Sequence, residues 1–348
     1  MGTAMTTTSR GSRDPRDAGV GAWLLCVCAC VLAMVLVGGA TRLTDSGLSI
    51  TEWDLAKGLT PPLTSARWAE EFALYQRTAE YQVQNRDMDL GEFQSIYWWE
   101  WSHRFLGKLT GVVFALPFLF FLAAGRLRGR LAQALGLFAL GALQGGVGWW
   151  MVASGLFSAL DVSPARLAIH LGLAFVILAY ALWLALDALG WPRTRSKLGA
   201  PTWIPFALLG LIFCQVIFGA LLAGADGGRA YADWPTIGHE WLPSSAFALE
   251  PLWRNFTEDH ATQHLLHRSL GYLVALSALA LAALAAWRGE GLAKRLALRL
   301  GALALIQAGL GVGTVMTAAM APWALTHQFV AALVWLGTVA TARASGRR

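Results

Sequence analysis

The sequence has 348 residues, of which 56% are hydrophobic and only 14% charged, with a net charge of +6. Soluble domains carry about 25% charged residues, so this balance excludes an ordinary water-soluble globule and points into a lipid bilayer. Nor does the positive charge indicate nucleic acid, because Lys and Arg sit in short clusters between apolar runs rather than along one solvated face.

Crossing about 30 Å of hydrocarbon takes around 20 helical residues. Runs of that length occur near 22–41, 104–125, 131–153, 167–188, 203–224, 267–288, 296–318 and 323–342, predicting eight spans. The expected fold class is therefore an all-α integral membrane protein. Arg10, Arg13 and Arg16 precede the first span, and Arg126, Arg128 and Arg130 follow the second. Arg193, Arg195 and Lys197 follow the fourth, Lys294, Arg295 and Arg299 follow the sixth, and Arg343, Arg347 and Arg348 close the chain. The positive-inside rule puts these connections and both termini in the cytoplasm. The alternate connections, 42–102, 154–166, 225–266 and 319–322, then lie outside, the first of them rich in acid. Asp14 and Asp17 among the early Arg residues argue against a transit peptide, so a bacterial inner membrane is expected. Cys26, Cys28 and Cys30 fall in the first span and Cys214 in the fifth, where they read as small apolar packers rather than disulfide partners.

The chain carries one plan twice. His103-Arg104-Phe105-Leu106-Gly107 opens the second span and His267-Arg268-Ser269-Leu270-Gly271 the sixth. Gln144-x-Gly146-x-Gly148 in the third span returns as Gln307-x-Gly309-x-Gly311 in the seventh, and His170 in the fourth returns as His327 in the eighth. Four spans separate the copies, so both run in the same direction, as a parallel repeat. This predicts two pseudo-symmetric four-helix bundles: a tail over 1–21, an N-terminal half over 22–190, a linker over 191–202, a C-terminal half over 203–342 and a tail over 343–348. The glycines within the spans suit close helix approach, or close approach to a flat ligand. Most of the Trp residues, among them Trp98, Trp99 and Trp101, suit the membrane interface.

Four of the seven His residues, His103, His170, His267 and His327, occupy these matched positions, near the outer ends of their spans. Polar groups inside a membrane are expensive, so four in duplicated register point to function rather than packing. Two imidazoles on facing helices can take both axial positions of a haem iron, whereas zinc would need further ligands. Glu100 precedes His103 by three residues, one turn away if the helix extends back, and could move protons; otherwise it is a solvated acid or a partner of Arg104. The matching position before His267 is His264. Arg42, after the first span, could meet a haem propionate or a lipid headgroup. His239 and His260, in the outer connection, have no matched partners.

Three features together resemble the haem A synthases, the bacterial and mitochondrial family that makes haem A for terminal cytochrome oxidases. They are Gly39-Ala40-Thr41-Arg42-Leu43-Thr44-x-Ser46-Gly47-Leu48-Ser49, Glu100-Trp101-Ser102-His103-Arg104 and the four paired His residues. The resemblance runs from Gly38 to the eighth span. It implies a haem b cofactor in the C-terminal half, ligated by His267 and His327; His264, at the position matching Glu100, is a candidate auxiliary residue. It also implies haem O as substrate in the N-terminal half, with His103 and His170 as axial ligands and Glu100 beside the reacting methyl. The implied reaction takes that methyl to a formyl group through an alcohol and a hydrated aldehyde, with oxygen from water. In it Glu100 accepts protons and the C-terminal haem relays electrons. Both haem sites would lie towards the periplasm. Some bacterial members carry a Cys pair in the first outer loop, but 42–102 has no Cys, so the chain looks like the cysteine-free proteobacterial and mitochondrial branch. The candidate partners it implies are the haem O synthase, cytochrome oxidase assembly factors and a second copy of the chain. Two other readings differ in their demands: a di-haem b-type electron carrier would need the four His residues but not Glu100, and a transporter would place its site near the midplane.

Overall fold

The computed structural model describes residues 15–52, 59–156, 160–191 and 198–345. Arg10, Arg13, Arg193, Arg195, Lys197, Arg347 and Arg348, with much of the expected 191–202 linker, lie outside the described residues. The helices are α1 Pro15–Leu43, α2 Ser65–Tyr75, α3 Ala79–Val83, α4 Leu90–Ala123, α5 Leu131–Val152, α6 Pro164–Ala188, α7 Ile204–Gly224, α8 Arg254–Thr257, α9 His260–Arg288, α10 Gly291–Met316 and α11 Ala321–Ser345. Among the described residues there is no strand, only an isolated bridge between Ile237 and Glu240. Eight of the helices, α1, α4 to α7 and α9 to α11, are long and apolar enough to cross a membrane, matching the eight expected spans.

Several helices begin earlier than their apolar runs. Asp89 caps α4 by accepting from Glu92 N, while the Glu92 side chain accepts from Asp89 N, a capping box that starts the helix well ahead of residue 104. Asp259 caps α9 through Ala261 N and Thr262 N. These caps satisfy amides that would otherwise be orphaned at a helix end, so polar first turns become helical.

One continuous core joins the long helices, and small residues are among its most deeply buried members. Ala181 and Ala185 on α6, Ala278 and Ala285 on α9, Ala297 on α10 and Ala332 on α11 are fully enclosed. In lipid, such residues let backbones approach and gain dispersion where no hydrophobic force operates. Helix α1 packs on α4 and α6, α6 on α5 and α7, and α7 on α9 and α11. Helix α10 lies along both α9 and α11, whereas α4 and α5 meet only briefly. The indole of Trp335 donates to Phe175 O at 2.9 Å, and Gln328 Nε2 donates to Val35 O at 2.7 Å, tying α11 to α6 and α1. Of the cysteines, Cys28 is buried, Cys30 half-buried, and Cys26 and Cys214 exposed; all four are free.

The connection between α1 and α4 folds into a cap. Ile50, Tyr75, Phe93 and Tyr97 form its core, with Trp68, Phe72 and Tyr81 against them. Tyr75 and Phe93 stack with centroids 5.2 Å apart. This aromatic cap fixes the segment at Ser49 and Ile50 against the N-terminal part of α4.

Candidate functional site

Each of the four matched imidazoles rests on a glycine of a neighbouring helix. A Cβ built on Gly38 of α1 would lie 2.8 Å from His103 Cε1, and one on Gly148 of α5 would lie 2.9 Å from His170 Cε1. The corresponding distances are 2.8 Å from Gly219 of α7 to His267 and 3.0 Å from Gly311 of α10 to His327. In all four cases Cε1 is nearest, Nδ1 next and Nε2 farthest, so the rings share one orientation, with Nε2 turned away from the seating helix. Of the two uses that sequence leaves open for these glycines, the structure assigns Gly38, Gly148, Gly219 and Gly311 to seating imidazoles. Gly145, Gly146 and Gly309 have nothing within 4 Å of a built Cβ.

The rings sit deeper than the ends of the helices. His170, His267 and His327 come about two turns into α6, α9 and α11, because each helix starts before its apolar run. All four residues are half-buried. The centroids of His267 and His327 lie 6.5 Å apart, their planes at 74°. That separation is of the size two imidazoles need to share one metal ion, each bond being about 2 Å. His103 and His170 are near enough for their charges to interact.

Three glutamines attend the rings. Gln144 Nε2 lies 3.2 Å from His170 Nδ1, Gln215 Nε2 lies 3.1 Å from His267 Nδ1, and Gln307 Nε2 lies 3.2 Å from His327 Nε2. The Oε1 atom of each is buried and has no hydrogen-bond partner, as do His103 Nδ1 and His327 Nδ1. Buried polar atoms are normally satisfied, so five orphans around four imidazoles mark a place prepared for another group. Sequence reading quoted Gln144 and Gln307 as repeat markers but missed Gln215, which a Gln-x-x-x-Gly pattern at 144, 215 and 307 would have found.

The helix does continue back through Ser102 and Trp101, placing Glu100 one turn before His103. Glu100 is 3% exposed, so it is not a solvated acid. Its Oε2 accepts from Ser49 Oγ at 2.8 Å and from Ile50 N at 2.7 Å, and its Oε1 accepts from Arg104 Nη2 at 2.6 Å. Three donors from two segments fix the carboxylate in one orientation. At the matching position His264 is also buried; its Nδ1 accepts from Arg268, and its Nε2 lies 2.7 Å from Gly227 O.

Arg42 is engaged by protein. It pairs with Asp45 at 2.7 Å, Asp161 at 3.6 Å and Asp226 at 2.5 Å, and donates to Ala223 O and Gly224 O at the end of α7. It thereby caps the C-terminus of α7, where positive charge is favoured. The sequence left a propionate or a headgroup as its partner; the structure supplies three carboxylates and two carbonyls. His260 lines an open cleft of about 680 Å³ with Asp161, Asp226 and Glu258, a cleft that none of the four matched His residues lines. His239 lies exposed in the loop between α7 and α8, with φ of 68°.

A family model described as cytochrome oxidase assembly protein matches residues 21–339. The chain is 46% identical over 325 residues to the Heme A synthase of Maricaulis maris, covering 93% of this chain and 95% of that protein. It is 48% identical over 255 residues to the Heme A synthase of Parvibaculum lavamentivorans, covering 73% and 74%, and 44% identical over 345 residues to that of Brucella suis, covering 97% and 94%. The chain belongs to the haem A synthase family.

Membership gives the orphaned atoms a candidate guest, because the family's name specifies haem. Imidazole pairs whose Nε2 atoms turn away from their seating helices, flanked by unsatisfied amide oxygens, form a donor set of the kind that holds haem iron.

Proposed function

We propose that this chain is an enzyme that oxidises a ring methyl of haem O to the formyl group of haem A. The overall change, methyl plus water giving formyl plus four protons and four electrons, proceeds by way of an alcohol and a hydrated aldehyde, with water as the oxygen source. The observation that carries this reading is the asymmetry beside the ligands: a buried, triply held carboxylate at Glu100 where the other half has His264. A haem-binding half and a reacting half would differ at this place.

In this reading residues 22–190 form the substrate half and 203–342 the cofactor half. His103 and His170 bind the iron of haem O from its two faces, and Gly38 and Gly148 set how far each ring stands from its neighbouring helix. Ser49, Ile50 N and Arg104 aim the Glu100 carboxylate, which accepts protons as the methyl is oxidised. His267 and His327 would hold a haem b, supported by their 6.5 Å separation and by Gln215 and Gln307. When bound, that haem supplies one-electron redox capacity. The aromatic cap covers Glu100 from the outer side and keeps bulk water from the carboxylate.

The chain works as a multi-pass protein of a bacterial inner membrane, with both termini cytoplasmic and its haem sites towards the periplasm. The positions of Arg126, Arg128 and Arg130 and of Lys294, Arg295 and Arg299 support this orientation. A haem O synthase supplies the substrate, and cytochrome oxidase assembly factors take the product; a second copy of the chain is a further candidate partner.

The deciding experiment extracts haem from purified wild type and Glu100→Ala and separates it by chromatography with mass detection. Wild type should carry haem b together with haem O or haem A, and the variant should keep haem b and accumulate haem O. Two equivalents of haem b alone in both proteins would instead identify an electron carrier.

A further inference from the structure

The two halves part company at one helix seam. Helices α9 and α10 lie along each other, whereas their counterparts α4 and α5 meet only briefly. The repeat shows why. The offset that carries His103 to His267 carries Phe114 to Ala278 and Phe118 to Ala282, and the offset that carries Gly148 to Gly311 carries Phe138 to Gly301 and Gly141 to Ala304. In the C-terminal half these small residues let the two backbones touch: Ala278 and Ala304 are buried, and a Cβ built on Gly301 would lie 2.7 Å from Ala282 Cβ. In the N-terminal half the same place holds a stack of rings, Phe114 on Phe118 with centroids 5.8 Å apart and Phe114 on Phe138 at 6.1 Å. Phenyl groups cannot share the space of a hydrogen atom and a methyl, so the stack holds α4 and α5 apart.

Between that stack and the imidazoles the parted helices present glycine. Gly107 and Gly111 follow His103 at intervals of one turn on α4. On α5, Phe138, Gly141, Gly145 and Gly148 are spaced by three and four residues and so share a side, and Gly148 is the seat of His170. A Cβ built on Gly111, Gly141 or Gly145 meets nothing within 4 Å. Glycines in a membrane ordinarily bring helices together, but these lie on two helices that do not pack on each other. They line a groove that runs from the phenyl stack to the site of His103 and His170, where His103 Nδ1 and Gln144 Oε1 are buried without a partner. From Phe138 to Gly148 it extends about 15 Å, at 1.5 Å per residue, long enough for an extended isoprenoid chain.

We infer that this groove takes the isoprenoid chain of haem O, and that it is the feature by which the substrate half tells haem O from haem b. The two haems differ by that one chain, and the half read as the haem b site has the matching seam closed by Ala278, Ala282, Gly301 and Ala304. Glycine and phenylalanine suit an apolar chain, and the groove is continuous with the place where the macrocycle would sit. The inference rests on the reading that His103 and His170 hold haem O.

The test offers the purified protein haem O and deuterium-labelled haem b in equal amounts, removes what is unbound, and separates the extracted haems by chromatography with mass detection. The label distinguishes haem b newly taken up from any already resident. Wild type should take up haem O, counted with any haem A made from it, in preference to labelled haem b. Gly141→Leu and Gly111→Leu each fill the groove from a different helix, about 10–12 Å from the imidazole end. Each should cut uptake of haem O by about 10-fold or more, the scale on which an apolar pocket discriminates, and leave uptake of labelled haem b unchanged. Should one variant fail to accumulate, the other decides. The wild-type preference kept in the variants, as it would be if the seam held a lipid acyl chain, overturns the inference, and so does an equal loss of both haems. Uptake of haem O by His103→Ala at the wild-type level removes the substrate site itself, and the inference with it; His103-dependent uptake with no preference for haem O removes the inference alone.

Discussion

Glu100 and Arg104 form an ion pair one turn apart on α4, at 2.6 Å, and the matching positions on α9 hold His264 and Arg268, in contact at 3.0 Å. Both arginines also reach outward. Arg104 donates to Ile50 O and Glu52 O, and Arg268 to Asp233 O and Thr236 O. The residue after each matched His therefore pins a neighbouring loop segment, and the residue three before that His holds the arginine in place. Replacing Arg104 with Leu leaves a buried carboxylate without its counter-charge, a change that costs about 3 kcal/mol or more. The expected result is a clear drop in the thermal unfolding midpoint and loss of haem A formation; an unchanged midpoint would show that the pair contributes nothing.

Two glycines two residues apart on α10, and so on roughly opposite sides of it, should behave in opposite ways. Gly311→Ala drives a Cβ to 3.0 Å from His327 Cε1, closer than nearly all real contacts, so the ring must shift. Gly309→Ala meets nothing within 4 Å. The first should lower haem retention by about 10-fold, the scale of a disturbed ligand environment. The second should leave retention unchanged, and it removes a glycine from a helix interior, which favours the helix. Haem-to-protein ratios after purification check both.

Glu80 gives the aromatic cap a pH dependence. It is 4% exposed on α3, and its Oε2 has no hydrogen-bond partner. Burial, followed by the nearby charges of Asp161, Glu100 and Asp45, pushes its carboxyl up to about 8 from an ordinary 4.5. Between those values the folded protein keeps a proton that the unfolded chain has lost. This group's contribution is therefore complete below about pH 4.5 and drains away as pH rises towards 8. Glu80→Gln cannot ionise, so the gap in melting temperature between pH 5 and pH 8 should narrow in the variant; an equal gap in both proteins would remove Glu80 as its source.

The eight spans were legible because lipid demands long apolar runs, and each run found its helix. Their beginnings were not, since Glu92, Gln94 and Glu100 make the first turns of α4 look like loop; the Asp89-x-x-Glu92 pattern was the available signal. Helices α2 and α3 hid in an acid-rich connection whose Trp68, Phe72 and Tyr75 become a core only once α4 extends beneath them. The four His residues stood out because duplication repeats them. Their glycine seats had been noticed for another reason, since no local pattern says which neighbour a missing Cβ admits. Ser49 and Ile50 as holders of Glu100, and Asp226 as a partner of Arg42 across 184 residues, are products of tertiary folding that no window of sequence displays.

The glycine seats change what these sites respond to. A ring pressed on main chain has no side chain between it and the backbone that seats it, so how closely it stands to that helix is inherited from the distance between two helix axes. Substitutions on the far faces of α1, α5, α7 and α10 can therefore accumulate without moving a nitrogen atom. Forces that slide or tilt one helix against another, such as a thinner bilayer or a neighbouring protein, would move the ring together with the helix that carries it.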